Sequence, residues 1–193
     1  KASVERINTF MTQAWGGRLI RGWDEQWFDL PVTIGDALAD ATLGAAPGQT
    51  TIGDSTTVLL YKLARAAIAM RPGRTEIVID RDNFPTDRYL LEGIAAELNM
   101  SLRWIETDRR GGIEPEQLAE VVGENTALVV ITHVAYRSGF LVDVAEATRI
   151  THAAGALMLL VSASVSTCSP EAADAESAAD VGVALDSSDR EVA

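Results

Sequence analysis

Four polar residues stand together in the segment IGDSTTVLLY: Asp54, Ser55, Thr56 and Thr57. A Leu/Ala-rich helical pattern follows them, which puts them at the start of a helix, where free backbone N–H groups and the positive end of the dipole attract an anion. Hydroxyls at that place add donors for a phosphate. The same residues also suit a plainer task, because Asp54 or Ser55 can cap the helix with no ligand at all. A second group lies in DRDNFPTDRY, directly after the β-branched run EIVID, so Phe84 and Asp87 fall in a loop at the carboxyl end of a strand. There an aromatic ring can stack on a flat heterocycle and a carboxylate can accept from its polar substituents. The competing reading makes Phe84 a plug in the core and Asp87 the N-cap of the next helix.

Other candidates carry less chemistry. Trp23 and Trp27 lie in LIRGWDEQWFDLP, where aromatic residues beside charged ones suit an aromatic substrate, a subunit interface or a surface segment folded on the core. The stretch YRSG, Tyr136 to Gly139, follows the apolar run ALVVITHV, and Arg137 in it is either a binding group or a solvated charge. His133 and His152 have no metal-ligand spacing with each other or with nearby carboxylates, and His152 falls in a helical pattern. Cys168 is the single cysteine, so an intramolecular disulfide and a thiolate metal cluster are both excluded, and an inert thiol is expected. No metal site is expected.

The elements that must position these residues can be read from periodicity. From Val4 to Trp15 the apolar residues Val4, Ile7, Met11, Ala14 and Trp15 recur at helical spacing, and Gly16-Gly17 is expected to end or bend that helix. A second helical pattern covers roughly Ile34 to Leu43, and the Gly- and Pro-containing GAAPGQ after it reads as a loop. Beyond the capped helix DSTTVLLYKLARAAIAM the chain alternates: EIVID strand, DRYLLEGIAAELN helix, SLRWIE strand, PEQLAEVV helix, ALVVITHV strand, DVAEATRITHAAG helix, ALMLLVS strand. Such alternation builds an α/β fold with a mainly parallel sheet, whose ligand site lies beyond the carboxyl ends of its strands.

Composition bounds the function. With 193 residues, 47% of them hydrophobic and 23% charged, the chain is expected to bury one substantial core. A formal net charge of −12 disfavours contact with a phosphate backbone, so no nucleic-acid partner is expected. No apolar run is as long as a membrane span, and KASVERINTF lacks the features of a signal peptide, so a soluble, cytoplasmic protein is expected. From Ala163 the chain turns to Ser, Ala and acids, giving an expected division into a domain over 1–162 and a core-poor acidic tail over 163–193. Opening at Lys1 without Met, the chain is expected to be incomplete at both ends.

Taken together, GRLIRGW, W with DLP, IGDSTTVLLYKL, DRDNFPTDRY, THVAYRSG and HAAGALMLL resemble the kynureninases in order and spacing, over about Lys1 to Leu160. That resemblance implies part of the large domain of a fold-type-I transferase-like enzyme, of the aspartate aminotransferase type, that depends on pyridoxal 5′-phosphate (PLP). It implies hydrolysis of kynurenine, or its 3-hydroxy derivative, to the anthranilate and alanine, in tryptophan catabolism and the kynurenine pathway towards NAD. A homodimer is implied too. On the same resemblance Thr56 and Thr57 hold the PLP phosphate, Phe84 stacks on the pyridine ring, and Asp87 and Thr132 contact the cofactor. Trp23 then lies near the aromatic end of the substrate.

The chain also departs from the family pattern. Leu59 stands where many members carry Asn. After ALMLL the family continues with an aromatic residue and D-x-x-H, whose Asp pairs with the pyridine nitrogen, whereas this chain has Leu160, Val161 and Ser164. The family's Tyr-Lys pair, which supplies the Schiff-base lysine, has no counterpart either: the lysines here are Lys1 and Lys62. No catalytic residue is therefore assigned, and little or no activity is expected of these residues alone. The alternative is a non-catalytic module that binds phosphate or pairs with a subunit. The segment 163–193 is expected to be degenerate or read out of frame.

Overall fold

The computed structural model describes residues 1–162 and the backbone of 182–185. The expected tail over 163–193 thus lies outside the described residues except for 182–185. The chain divides into two compact units, Lys1–Gly53 and a second that begins at Asp54.

The first unit is helical. α1 (Ala2–Thr9) runs into a wider π turn at Phe10–Trp15 and one more α turn, α2 (Gly16–Arg18). Gly16-Gly17, expected to end or bend the helix, thus open its last turn, which stops at Arg18. The Gly16 N–H donates to the Met11 carbonyl five residues back, the bond of a π turn, and a Cβ on Gly16 would come within 3.0 Å of that oxygen. Reversal falls instead on Leu19, at φ 51°. A second π turn covers Trp23–Trp27, and α3 (Leu30–Thr42) begins four residues earlier than the periodicity from Ile34 suggests, with Pro31 in its first turn.

The second unit opens with α4 (Thr56–Ala69) and continues β1 (Glu76–Asp80), α5 (Pro85–Leu98), β2 (Ser101–Ile105), α6 (Pro115–Val121), β3 (Thr126–Thr132), α7 (Val144–Ala153), β4 (Leu157–Ser162) and β5 (Gly182–Leu185). The sheet order is β2-β1-β3-β4-β5; the first four strands are parallel and β5 lies antiparallel on β4. The mainly parallel α/β fold is as the alternation predicts. β3 stops at Thr132, two residues short of the run ALVVITHV, because the His133 N–H donates to the Val161 carbonyl while the chain turns into a loop that Val134 and Leu141 close by a bridge.

Alternate residues of the strands face two separate cores. Ile77, Ile79, Leu128, Val130, Leu157, Leu159 and Val161 pack with α4 and α5, whereas Val78, Val129, Ile131, Met158 and Leu160 pack with α6 and α7. Helices thus cover both faces, as buried parallel strands require. Because β1 pairs with β2 on one side and β3 on the other, the winding reverses between β1 and β3. A crevice is expected at the carboxyl ends of those two strands.

Candidate functional site

α4 starts where Ser55 adopts an extended conformation, φ −153° and ψ 150°, and its Oγ accepts from the Val58 N–H at 3.2 Å. Of the two candidate caps, Ser55 is the one used. That leaves Thr56 and Thr57 as the first two helical residues, both exposed, with amides that lie too early in the helix to have intrahelical acceptors. A helix of 14 residues presents its positive end there.

The loop after β1 holds the second group. Phe84 precedes Pro85, the first residue of α5, and its ring is 47% exposed, so it is no core plug. Asp87 lies inside the first turn of α5 rather than at the cap, and is 3% exposed. Its recorded side-chain partner is the Thr86 hydroxyl, at a long 3.4 Å. Burial raises the Asp87 carboxyl above the ordinary range for an aspartate, and the Thr86 hydroxyl offsets this only in part. Such a carboxylate has acceptor capacity to spare.

Asn83 ties this loop to the sheet. Its Nδ2 donates to Asp80 Oδ1 at 2.8 Å, and its Oδ1 accepts from the Phe84 N–H at 2.8 Å and from the Thr132 hydroxyl at 3.2 Å. Asn83 is 2% and Asp80 7% exposed, and desolvation raises the Asp80 carboxyl while the Asn83 amide opposes it. Since Thr132 spends its proton on Asn83, its oxygen keeps only acceptor capacity. Neither Asp80 nor Asn83 stands out in the sequence; the signal available for Asn83 was an amide residue directly before Phe-Pro at a strand end, where side-chain-to-backbone bonds are common.

A cleft opens at the winding reversal, lined among others by Asp80, Asn83, Thr107, Thr132 and Tyr136. Thr107 Oγ1 is buried with no hydrogen-bond partner. Gly112 is required here, because a Cβ would overlap the Phe140 ring. From the loop after β3, Tyr136 meets Phe84 in a T-shaped contact with centroids 5.3 Å apart, and Arg137 donates to Asp82 Oδ1 at 2.7 Å. The Arg137 guanidinium also lies 5.1 Å from the centre of the Tyr136 ring.

Phe84, Asp87 and Thr132 are thus assembled around one loop, and Thr56 and Thr57 open the helix that packs on the same sheet face. Trp23 belongs to the first unit, where its ring packs against Trp27 and Phe28. Val161, expected at the position of the family's pyridine-pairing acid, is 8% exposed and packs in the core with α4 and α5. Lys62 is exposed on α4 and Lys1 precedes α1. Among the described residues no group of His, Cys, Asp and Glu could hold a metal ion, and no helix is long and apolar enough to cross a membrane.

The profile of the Aminotransferase class-V family matches residues 50–172. The chain belongs to that family. Class-V members are PLP-dependent enzymes of fold type I, and the match spans the phosphate-type helix start, the Phe84 loop and the sheet. Among curated relatives, a kynureninase of Burkholderia pseudomallei (strain 1106a) is 37% identical over 166 residues, covering 82% of this chain and 38% of that protein. A kynureninase of Pseudomonas fluorescens is 34% identical over 165 residues, with the same two coverages. The chain therefore spans well under half the length of these relatives. In fold it is similar to the C-DES mutant K223A, solved with glycine covalently linked to its PLP cofactor, at TM-score 0.64 and 17% identity over 84% of this chain and 42% of that one. It is likewise similar to a cysteine desulfurase from Thermococcus onnurineus NA1, at TM-score 0.57 and 22% identity over 64% and 30%.

PLP carries a phosphate, a flat ring and polar ring substituents, and the residues present answer to each. Thr56 and Thr57 offer hydroxyls and amides, Phe84 a half-exposed aromatic residue, and Asp87 a buried carboxylate with unspent acceptor capacity. The ring nitrogen is the exception, for Val161, which the resemblance sets opposite it, is apolar and packs in the core.

Proposed function

We propose that this chain carries the cofactor-holding part of a kynureninase-type, PLP-dependent hydrolase, and that these residues alone cleave kynurenine little or not at all. The observation that carries the reading is Asp87, a carboxylate 3% exposed with one long hydrogen bond, in the helix turn that the half-exposed Phe84 opens. Burying a carboxylate that is short of partners costs several kcal/mol unless something donates to it. A ligand with polar edges and a flat face meets both residues.

Bound PLP would supply an electron sink for charge developing at the substrate's α-carbon. The chain's own part is to fix it: Thr56 and Thr57 take the phosphate, Phe84 the ring face, Asp87 a polar edge, and Thr132 accepts from a nearby donor. The substrate, kynurenine or its 3-hydroxy derivative, then lies with its aromatic end near Trp23. The whole protein is cytoplasmic and a homodimer on this reading. The second clause of the proposal rests on Val161 and on the lysines, since neither Lys1 nor the exposed Lys62 stands at a strand's carboxyl end. The test is titration with PLP followed by borohydride and peptide mapping. Saturable binding without pyridoxyl-lysine is expected; a pyridoxyl group on Lys62 with kynurenine turnover would overturn the inactivity, and no saturable binding would overturn the site.

A second reading, a non-catalytic module that binds phosphate or pairs with another subunit, draws on the first unit. Val4, Ile7, Met11 and Trp15 are 61%, 60%, 47% and 54% exposed at helical spacing, an apolar stripe of the kind that interfaces cover. Inorganic phosphate competing fully with PLP, with no contribution from the pyridine ring, would favour it.

A further inference from the structure

Phe84 poses a mechanical problem. Its backbone is held by the Asn83 side chain and by the following Pro85, yet its ring is 47% exposed and no core packing fixes its plane. Stacking on a heterocycle rewards a ring already held in one orientation, because ordering it on binding costs affinity. What touches the ring comes from 52 positions further along the chain. Tyr136 makes a T-shaped contact with it, at 5.3 Å between centroids and 78° between planes.

Tyr136 is itself 44% exposed, and its loop is anchored from two sides. The Ala135 N–H donates to the Phe140 carbonyl at 2.9 Å, and the Gly139 N–H to the Ala135 carbonyl at 2.8 Å. Gly139 takes φ 73°, a conformation that favours glycine and lets the loop close. The second anchor is Arg137. It bonds Asp82, two residues before Phe84, and its guanidinium lies over the Tyr136 ring. Asp82, Arg137, Tyr136 and Phe84 therefore form a closed circuit between the loop after β1 and the loop after β3.

We infer that Tyr136 and the Arg137–Asp82 ion pair are positioning residues that hold the Phe84 ring ready for a flat, heteroaromatic phosphate ester. The inference rests on the PLP reading above and adds to it groups that need not touch the ligand. It predicts coupling: Tyr136 matters to the ligand only while Phe84 is present.

The test is a double-mutant cycle on the 193-residue protein, with PLP affinity from equilibrium dialysis and the visible circular dichroism of bound PLP as the second readout. Phe84→Ala is expected to weaken PLP about 10-fold and Tyr136→Ala about 3-fold, while the double variant falls no further than Phe84→Ala alone. Tyr136→Phe should restore wild-type affinity, because the ring and not the hydroxyl does the positioning. Arg137→Gln should cost about 2-fold, and the swap Asp82→Arg with Arg137→Asp should recover it. At saturating PLP, Tyr136→Ala should still lower the dichroic band, which a loss confined to folding stability would not do. Losses that multiply would show Tyr136 contacting the ligand itself and overturn the inference. So would a Tyr136→Ala variant that binds like wild type while Phe84→Ala is weakened. If Phe84→Ala itself changes nothing, the stacking reading fails and the positioning role fails with it. Should Tyr136→Ala not fold, Tyr136→Leu and Arg137→Gln carry the same comparison.

Discussion

The two units use apolar residues in opposite ways. Within residues 1–53 the buried positions are Gly22, Gly35 and Ala39, all small, while Val4, Ile7, Trp15, Ile20 and Phe28 stand exposed. In the second unit Ile77, Ile79, Leu91, Leu128, Ile131 and Leu159 have essentially no exposed surface. The difference explains where a site can be built. Side chains that must hold a ligand within fractions of an ångström need rigid elements beneath them: Thr132 ends the buried strand β3, and Phe84 and Asp87 stand at the start of α5, which packs on the sheet.

The contrast breaks most sharply in the sheet. Ile79→Ala and Leu159→Ala each remove a fully buried branched side chain between the sheet and α4 and α5. Each is expected to cost about 2–5 kcal/mol of stability, read from the chemical denaturation midpoint. A loss below about 1 kcal/mol would mean that this core is looser than its burial implies.

Next in size is the proposed phosphate contact. Thr57→Val keeps the shape and removes a hydroxyl from the start of α4, where a hydrogen bond to a charged group is worth about 1.5–3 kcal/mol. PLP affinity should fall at least about 10-fold, whereas pyridoxal, which lacks the phosphate, should bind the variant and the wild type alike. Equal losses for both ligands would remove Thr57 from the phosphate site.

How much of this was legible beforehand follows the same division. Short apolar runs between helical patterns point to the parallel sheet, because burial of β1, β3 and β4 on both faces leaves little freedom in their composition. In the first unit Gly16-Gly17 is expected to end or bend the helix; the glycines themselves take helical dihedrals after a π turn, and the helical path stops one residue later, at Arg18, with the reversal on Leu19. Within the candidate site, Phe84 and Asp87 stand out in a motif at a strand end, and Tyr136 only as part of YRSG. Asn83 does not stand out, and neither its bond to Thr132 nor the contact of Tyr136 with Phe84 is legible, because those partners lie 49 and 52 positions away. No local pattern encodes such pairs. Trp23 was read as near the substrate from resemblance, and its recorded ring partners are Trp27 and Phe28.

A smaller effect separates charge from shape at Asp87. Burial raises its carboxyl in the folded protein, whereas in the unfolded chain it titrates near the ordinary value, about 3.9. Between those two values the native state keeps a proton that the unfolded state has released. Stability without ligand therefore falls as pH rises through that window, and the full penalty stands above it. Asp87→Asn removes the penalty, so the variant should be more stable than wild type at pH 7 and indistinguishable from it on this account below about pH 4. Thermal unfolding at the two pH values checks this; a variant less stable at pH 7 would show that Asp87 is better partnered than its single long bond to Thr86 implies.

Smallest of all should be Ile7→Ala in α1. Ile7 is 60% exposed, so its removal leaves no cavity, and Ala is the better helix former by a few tenths of a kcal/mol. A change within about 0.5 kcal/mol is expected in dilute solution, against several for Ile79→Ala. The informative variable is protein concentration. If a second copy covers Val4, Ile7, Met11 and Trp15, the cost of Ile7→Ala should grow as the protein is concentrated, because dimerisation then contributes to stability by mass action. Sedimentation of the two proteins side by side would show whether the loss follows the dimer. A concentration-independent result near zero would assign the apolar stripe to no self-contact.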